Sequence, residues 1–262
     1  MTYMHAAVLG LVQGITEFLP VSSSGHLILV PHVFGWQDQG LAVDAALHIG
    51  TLAALVAYFH RELLGMMSGA LSRRVAALIV VATIPAGLAG LLFGSMVETN
   101  LRSPLLIAFT TAFWAIVMWG ADRRAVPTVE GAGDQLERIR WSQGLAVGIA
   151  QAIALIPGTS RSGITITTGL LAGIDRPTAA RYSFLLGIPI TAAAGLLKSV
   201  QLLETGVPVD EAGPLLFAVL VSFVSGWLAV WFLVNYLKRR SLLPFVVYRL
   251  ILAAIILAVT LR

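Results

Sequence analysis

Gln13-Gly-Ile-Thr-Glu17-Phe-Leu-Pro-Val-Ser-Ser-Ser-Gly-His26 is the polar stretch around which this chain is organised. It lies within an apolar N-terminal region, yet it contains a carboxylate, three consecutive serines and a histidine. Such groups are costly in hydrocarbon and are retained there where they bind or react with something. A second stretch, Gln151 to Gly163, has a similar pattern and adds an arginine, Arg161. The rest of the chain is expected to hold these two stretches together.

The composition of the whole chain is typical of an integral membrane protein. Of its 262 residues, 58% are hydrophobic and only 11% are charged, and the mean hydropathy is +0.88. A soluble domain carries about 25% charged residues. Several apolar runs have the roughly 20 residues that a helix needs to cross a bilayer. The sequence therefore predicts an all-α polytopic membrane protein that forms one integral membrane domain over residues 1–262.

Charge and cysteine content exclude several classes of function. The net charge is +4, and the basic residues cluster in short connections between apolar runs. This pattern is typical of signals that orient a protein in a membrane, and it argues against a nucleic-acid partner. The chain has no cysteine, which excludes thiol catalysis and thiolate metal sites.

Two apolar regions, 5–35 and 143–172, are interrupted by proline, glycine and serine. Non-helical backbone at membrane depth is tolerated only inside protein or beside a polar cavity. We therefore expect both regions to be re-entrant helical segments that enter and leave on the same side, with continuous helix interrupted through Pro20 to His26 and through Pro157 to Gly163. Six further apolar runs are predicted to be transmembrane helices, near residues 41–59, 75–95, 104–121, 182–200, 214–237 and 243–261.

The distribution of charge supports this arrangement. Cytoplasmic connections carry an excess of lysine and arginine. With two re-entrant segments, both termini, the connection 96–104 and the acidic connection 201–213 lie outside. All strongly basic connections then lie in the cytoplasm, at 60–74, 122–142, 171–181 and 238–242.

The two broken regions also indicate an internal repeat. Gln13 and Gln151 each lie twelve residues before a glycine, and serines recur at the same offsets, Ser22 and Ser24 in the first copy and Ser160 and Ser162 in the second. Three predicted spans follow each region, so the copies enter the membrane from opposite faces. The sequence predicts an inverted-topology repeat, in which a site forms where the broken elements meet. Its copies are approximately residues 1–121 and 143–262, joined by the cytoplasmic loop 122–142.

The two copies differ in chemistry. Glu17 corresponds to Leu155 and His26 corresponds to Ile164, whereas Arg161 corresponds to a serine. One half thus carries an acid, a base and hydroxyls, and the other half carries a fixed cation. A reaction on an anion requires this division of groups, whereas a transport gate does not.

Arg161 is the candidate anion ligand. It stays protonated, and its forked donors suit phosphate oxygens. Glycines beside a helix start expose backbone amides to an anion. The alternative is a structural ion pair with Glu17 or Asp175. The hydroxyls that we assign with Arg161 to a phosphate cradle belong to Thr159, Ser160, Ser162 and Thr165.

The first stretch supplies the reactive candidates. Glu17 is a candidate general base, metal ligand or partner of Arg161. Ser23 is a candidate nucleophile, although serines also favour caps and turns. His26 is a candidate nucleophile, acid/base group or hydrogen-bond partner. We assign Gln13, Ser22 and Ser24 to substrate binding.

Asp44 and His48 are a further polar pair within a predicted span. They lie four residues apart and therefore share one face of a helix. We interpret them as a supporting polar pair and not as a second active site.

At these stretches the sequence resembles the undecaprenyl-diphosphate phosphatase family, also called bacitracin-resistance proteins. The family motif Glu/Gln-x-x-x-Glu corresponds to Gln13–Glu17, and Pro-Val-Ser-Ser-x-Gly-His corresponds to Pro20–His26. A second motif, Pro-Gly-x-Ser-Arg-Ser-Gly, corresponds to Pro157–Gly163. Chain length, motif order and hydropathy agree over essentially the whole sequence.

The resemblance implies hydrolysis of undecaprenyl diphosphate to the monophosphate and inorganic phosphate, which recycles the lipid carrier of cell-wall polymers and lowers sensitivity to bacitracin. It implies roles for six residues, with Ser23 and His26 both open as the attacking group, and a site toward the outer face of the bacterial cytoplasmic membrane. The residues with implied roles are Glu17, Ser23, His26, Ser160, Arg161 and Thr165, of which Glu17, Ser23, His26 and Arg161 are assigned to catalysis. It also implies a divalent cation, Mg²⁺ or Ca²⁺. Because Gln13 stands where some members have Glu, a metal held by two carboxylates is disfavoured, and Glu17 with the substrate phosphates remains. The alternative function is a carrier or flippase for an anionic polyprenyl phosphate lipid, and self-association into a homo-oligomer is left open.

Overall fold

The computed structural model describes residues 1–36, 40–69, 73–101, 103–127, 135–205 and 211–261. In these ranges the chain forms eleven α-helices, one 3₁₀ helix (Gln135–Arg138) and no strand, which confirms the all-α class. The predicted connections 60–74, 96–104, 122–142 and 201–213 lie partly outside the described residues. The helices are α1 (Tyr3–Phe18), α2 (Ser23–Phe34), α3 (Gly40–Tyr58), α4 (His60–Ser68), α5 (Arg73–Asn100), α6 (Pro104–Arg123), α7 (Trp141–Ile153), α8 (Arg161–Leu171), α9 (Arg176–Thr205), α10 (Ala212–Tyr236) and α11 (Leu243–Thr260).

Five of the described helices are long and apolar enough to cross a membrane. A sixth candidate is a bent pair, in which Val43–Tyr58 and His60–Ser68 meet at 65°. By length and composition the protein is therefore a polytopic membrane protein. The five apolar stretches are Arg73–Val97, Pro104–Arg123, Arg176–Leu197, Ala212–Tyr236 and Leu243–Thr260.

The outer surface of the bundle is apolar, as a lipid-facing surface has to be. On α10, Leu216, Leu220, Val224 and Leu228 lie one helical turn apart, and all four are exposed. In water so long an apolar stripe would favour aggregation. In a bilayer the same stripe matches the lipid tails.

The first helix of each half is held by the other half. α1 packs against α10, which also packs against α3, and α7 packs against α5, which also packs against α9. Small residues allow this close approach. A side chain at Gly14 of α1 would overlap Ser225 of α10, and a side chain at Gly148 of α7 would overlap the backbone of Ala82 in α5. The packing therefore interleaves the two halves.

Both regions that were predicted to be broken are interrupted, by residues 19–22 between α1 and α2 and by residues 154–160 between α7 and α8. The last residue of each break, Ser22 or Ser160, has a left-handed φ of 76° or 70°, which is uncommon for a residue other than glycine. The interruption predicted within Pro20 to His26 ends at Ser22. Ser23 to His26 form the first turn of α2, because serine is favoured where a helix begins.

The predicted connection 60–74 also differs from the structure, because it contains helix α4. This helix has no buried residue. Its Glu62 forms an ion pair with Arg181 of α9 at 3.0 Å, which fastens α4 to the bundle.

Candidate active site

The two helix breaks lie against each other and exchange hydrogen bonds. Ser24 Oγ accepts a hydrogen bond from the amide of Gly158 at 3.0 Å, and Ser162 Oγ donates one to the carbonyl of Leu19 at 3.2 Å. Ser24 and Ser162 are equivalent in the predicted repeat, so the two contacts are reciprocal. Ser22 Oγ lies 3.2 Å from Ser24 Oγ and extends this network. The structure therefore brings the two sequence motifs together.

Glu17, in the last turn of α1, is the centre of the polar cluster. Its Oε2 accepts hydrogen bonds from Gln13 Nε2 and Ser23 Oγ, both at 3.1 Å, and its Oε1 pairs with Arg161 Nη2 at 3.4 Å. The side chains of Glu17 and Arg161 are only 11% and 13% exposed. Two neutral donors and a guanidinium stabilise the ionised carboxylate in this poorly hydrated place. Since the Ser23 hydroxyl donates to Glu17, its proton already faces a base.

Arg161, the first residue of α8, has hydrogen-bond donors that the described residues leave unpaired. Its Nε and Nη1 are buried and have no hydrogen-bond partner among the described residues. Buried donors without partners are costly, and an anion beside them would remove that cost. The guanidinium lies against Gly187 of α9, where any Cβ would overlap it. The absence of a side chain at position 187 therefore sets the place of the Arg161 head group.

Both ring nitrogens of His26 are hydrogen-bonded. Nδ1 lies 2.7 Å from the carbonyl oxygen of Ser22, and Nε2 lies 2.5 Å from the hydroxyl of Tyr248. His26 is 8% exposed, and its ring stacks on that of Tyr248. His26 therefore connects the start of α2 to α11.

Tyr248 and Arg249 are the site residues that sequence reasoning missed. Arg249 is completely buried, and its Nη2 donates to the carbonyls of Gly158 and Thr159, both at 3.0 Å. Its Nε donates to the carbonyl of Thr111 at 3.2 Å. Arg249 of α11 thus links the backbone of the second break to α6. An available signal was an arginine inside the apolar run 243–261, since ionisable residues within spans are functional candidates by default.

Three other residues that were predicted to form the phosphate cradle, Ser160, Thr165 and Thr159, differ in their hydrogen-bond partners. Ser160 caps α8 by accepting a hydrogen bond at 3.2 Å from a backbone amide of the first turn. Thr165 Oγ1 donates to the carbonyl of Arg161 at 2.7 Å and lies 2.5 Å from Ser183 Oγ. Thr159 Oγ1 is buried and has no partner among the described residues. Of these three hydroxyls, that of Thr159 is the one left for a ligand, as far as the described residues show.

Asp44 and His48 share one face of α3, as predicted. His48 Nδ1 donates to the carbonyl oxygen of Asp44 at 2.7 Å. The hydrogen bond between them therefore uses the backbone of Asp44 and not its carboxylate.

The family model described as bacitracin resistance protein BacA matches residues 6–255 of the chain. The chain belongs to this family. Undecaprenyl-diphosphatase 2 of Stutzerimonas stutzeri (strain A1501) is 47% identical over 267 residues, covering 98% of this chain and 98% of the relative. Undecaprenyl-diphosphatase of Moorella thermoacetica (strain ATCC 39073 / JCM 9320) is 48% identical over 266 residues, covering 99% and 98%. The predicted resemblance to the bacitracin-resistance family is confirmed.

This member of the bacitracin-resistance family has few oxygen atoms suited to a divalent cation. The described residues contain no group of three or more His, Cys, Asp or Glu side chains that could hold a metal ion. Beside the Glu17 carboxylate, Gln13 Oε1 is buried and has no partner in the part of the chain that the structure describes. These two side chains fit a cation only if the substrate supplies further oxygen ligands.

Proposed function

We propose that this protein hydrolyses undecaprenyl diphosphate to undecaprenyl phosphate and inorganic phosphate. The observation that carries the proposal is one carboxylate, Glu17, only 11% exposed, that contacts both a serine hydroxyl and an arginine whose Nε and Nη1 have no partner among the described residues. The names of the relatives at 44–48% identity agree with it. The reaction regenerates the lipid carrier of cell-wall polymers, and removal of free diphosphate lowers sensitivity to bacitracin.

The reaction begins when Nε and Nη1 of Arg161 bind the terminal phosphate. Ser23 Oγ attacks the terminal phosphorus, and Glu17 accepts the Ser23 proton. The bond from that phosphorus to the bridging oxygen breaks, and undecaprenyl phosphate leaves with the proton from Glu17. Water then attacks phospho-Ser23 and gives a proton to Glu17, which returns it to Ser23 Oγ as inorganic phosphate departs. Positioning and charge neutralisation supply most of the catalysis.

Ser23 is the proposed nucleophile because its proton already faces Glu17, whereas both nitrogens of His26 are engaged. Acid quenching during turnover is expected to trap a phosphoryl group on Ser23, which peptide mass spectrometry locates. Ser23→Ala is expected to lose this label and to lower phosphate release at least about 100-fold. A phosphoryl group trapped on His26 would reverse the assignment.

Gly187→Ala tests the position of the Arg161 head group. The added methyl group would displace the guanidinium, and a displacement of about 1 Å costs about 100-fold in rate. The matched control is Gly195→Ala in the same helix, where an added Cβ meets nothing within 4 Å. Phosphate release and thermal unfolding are measured for both variants. Equal activity of the two would show that Gly187 does not position Arg161.

A divalent cation, Mg²⁺ or Ca²⁺, is part of the proposal. Glu17 and Gln13 Oε1 would hold it together with oxygens of the substrate. A bound cation would neutralise charge on the diphosphate. Loss of phosphate release on chelation, with recovery on adding either cation, is the expected result. Undiminished turnover after chelation would remove the cation from the proposal.

We further propose that the protein lies in the bacterial inner membrane with its site toward the outer face. In this proposal six transmembrane helices and two re-entrant segments, α1–α2 and α7–α8, form an inverted repeat. The interleaved packing of the helices and the left-handed φ shared by Ser22 and Ser160 support the inverted repeat. Because the chain has no cysteine, single cysteines can test it. In intact cells an impermeant thiol reagent should label Thr99→Cys and not Ser68→Cys, and the reverse pattern would invert the orientation.

A carrier or flippase for an anionic polyprenyl phosphate lipid is the second candidate. The meeting of two broken helix pairs favours it, since transporters bind substrates at such elements. Detergent-solubilised protein separates the two functions. An enzyme releases phosphate without any membrane gradient, whereas a pure carrier releases none.

A further inference from the structure

Tyr248 makes a hydrogen bond that the proposed phosphoryl transfer does not use. Its hydroxyl lies 2.5 Å from His26 Nε2, and the two rings stack with centroids 5.5 Å apart and planes 8° apart. Tyr248 is 45% exposed, whereas His26 is 8% exposed. The hydroxyl of Tyr248 thus reaches a buried group from the surface of α11.

The direction of this hydrogen bond follows from the other ring nitrogen. Nδ1 of His26 lies 2.7 Å from the carbonyl oxygen of Ser22, which can only accept a hydrogen. Nδ1 therefore carries the hydrogen, and Nε2 of neutral His26 accepts from the Tyr248 hydroxyl. The partner of one nitrogen sets the role of the other. Tyr248 therefore favours a single tautomer and a single ring orientation.

The same ring holds the backbone beside the reacting serine. The Ser22 carbonyl belongs to a residue with a left-handed φ of 76°, a conformation that persists only when its surroundings impose it. The next residue, Ser23, donates its hydroxyl hydrogen to Glu17. A turn of the His26 ring would release the Ser22 carbonyl and shift the attacking oxygen.

We propose that Tyr248 is a positioning residue for the phosphatase site, acting through His26 and Ser22 on the orientation of Ser23. This inference rests on the proposed function. Consecutive residues of α11 then hold both helix breaks. Tyr248 holds the first through His26, and Arg249 holds the second through its carbonyl contacts.

The test is Tyr248→Phe in the full-length protein, which keeps the stacked ring and removes only the hydroxyl. The loss of one hydrogen bond is expected to lower kcat about tenfold, with KM little changed because the proposed phosphate donors belong to Arg161 and not to Tyr248. The freed Nε2 of His26 is expected to react several-fold faster with diethyl pyrocarbonate, as located by peptide mass spectrometry. Rapid modification of the exposed His60 serves as the internal reference.

Tyr182→Phe is the matched control, because the Tyr182 hydroxyl is buried and has no hydrogen-bond partner among the described residues. It is expected to leave kcat and the modification rate of His26 unchanged. If Tyr248→Phe leaves either quantity at its wild-type value, the positioning role is overturned. A wild-type protein that releases no phosphate would instead refute the proposed function, while the modification rates would still report on the contact between Tyr248 and His26.

Discussion

Arg161→Ala is expected to lower phosphate release by about 10³–10⁵-fold, the range that one arginine contributes when it stabilises a transferring phosphoryl group. Two effects combine in this variant. The terminal phosphate loses the unpaired Nε and Nη1 donors, and Glu17 loses its cation in a place where both side chains are nearly dehydrated. Arg161→Lys restores one positive charge but not the forked donors. It is therefore expected to recover only a small part of the activity.

The matched control is Arg181→Ala. Arg181 also pairs with a glutamate, Glu62, at 3.0 Å, but this ion pair fastens α4 to α9. Phosphate release from detergent-solubilised protein is measured together with membrane insertion and thermal unfolding. Turnover near the wild-type rate in an inserted Arg161→Ala protein would contradict the site assignment.

Glu17→Gln is expected to lower phosphate release about 10²–10⁴-fold, the range for loss of a positioned general base. The replacement keeps the shape of the side chain but cannot accept the Ser23 proton. Glutamine also brings an NH₂ group into a position where Gln13, Ser23 and Arg161 all donate to Glu17. One of these donors would then face another donor, so the orientation of Ser23 is expected to change as well.

Glu62→Gln is the corresponding control, since it removes a carboxylate from the ion pair with Arg181 and leaves the site intact. The rate of appearance of phospho-Ser23 in single-turnover experiments distinguishes loss of the base from loss of substrate binding. Formation of phospho-Ser23 at the wild-type rate in Glu17→Gln would show that another group accepts the proton.

The membrane class and the positions of the breaks follow directly from local sequence. Apolar runs of about 20 residues satisfy their backbone polar groups only as helices in a bilayer, whatever the rest of the chain does. Clusters of proline, glycine and serine favour interruption of a helix. Such clusters mark the breaks near Pro20 and Pro157, whereas the isolated Pro85 and Pro189 lie inside α5 and α9. The residue at which α2 begins does not follow from local sequence in the same way, because Ser23 to His26 can cap a helix or continue it.

The partnership of Glu17 and Arg161 was accessible to sequence reasoning for a different reason. The residues lie 144 positions apart, but the matched serine and glycine offsets of the two stretches indicated that they meet. Glu17, Ser23 and Arg161 were therefore predicted to be the acid, the hydroxyl and the cation of one site. Whether Ser23 or His26 attacks stayed open, because spacing along a chain does not show where a hydroxyl hydrogen points.

The apolar runs of the sequence indicated a membrane protein, and the stretches Gln13 to His26 and Gln151 to Gly163 predicted a polar site for an anion. The folded structure was needed to show which donors of Arg161 have no partner among the described residues and that Gly187 leaves room for its head group. It was also needed to show that Tyr248 contacts His26 beside the first break and that Arg249 contacts the second break. Composition and helix periodicity act over only a few residues. Contacts such as that between His26 and Tyr248, 222 positions apart, exist only once α11 has packed beside the breaks.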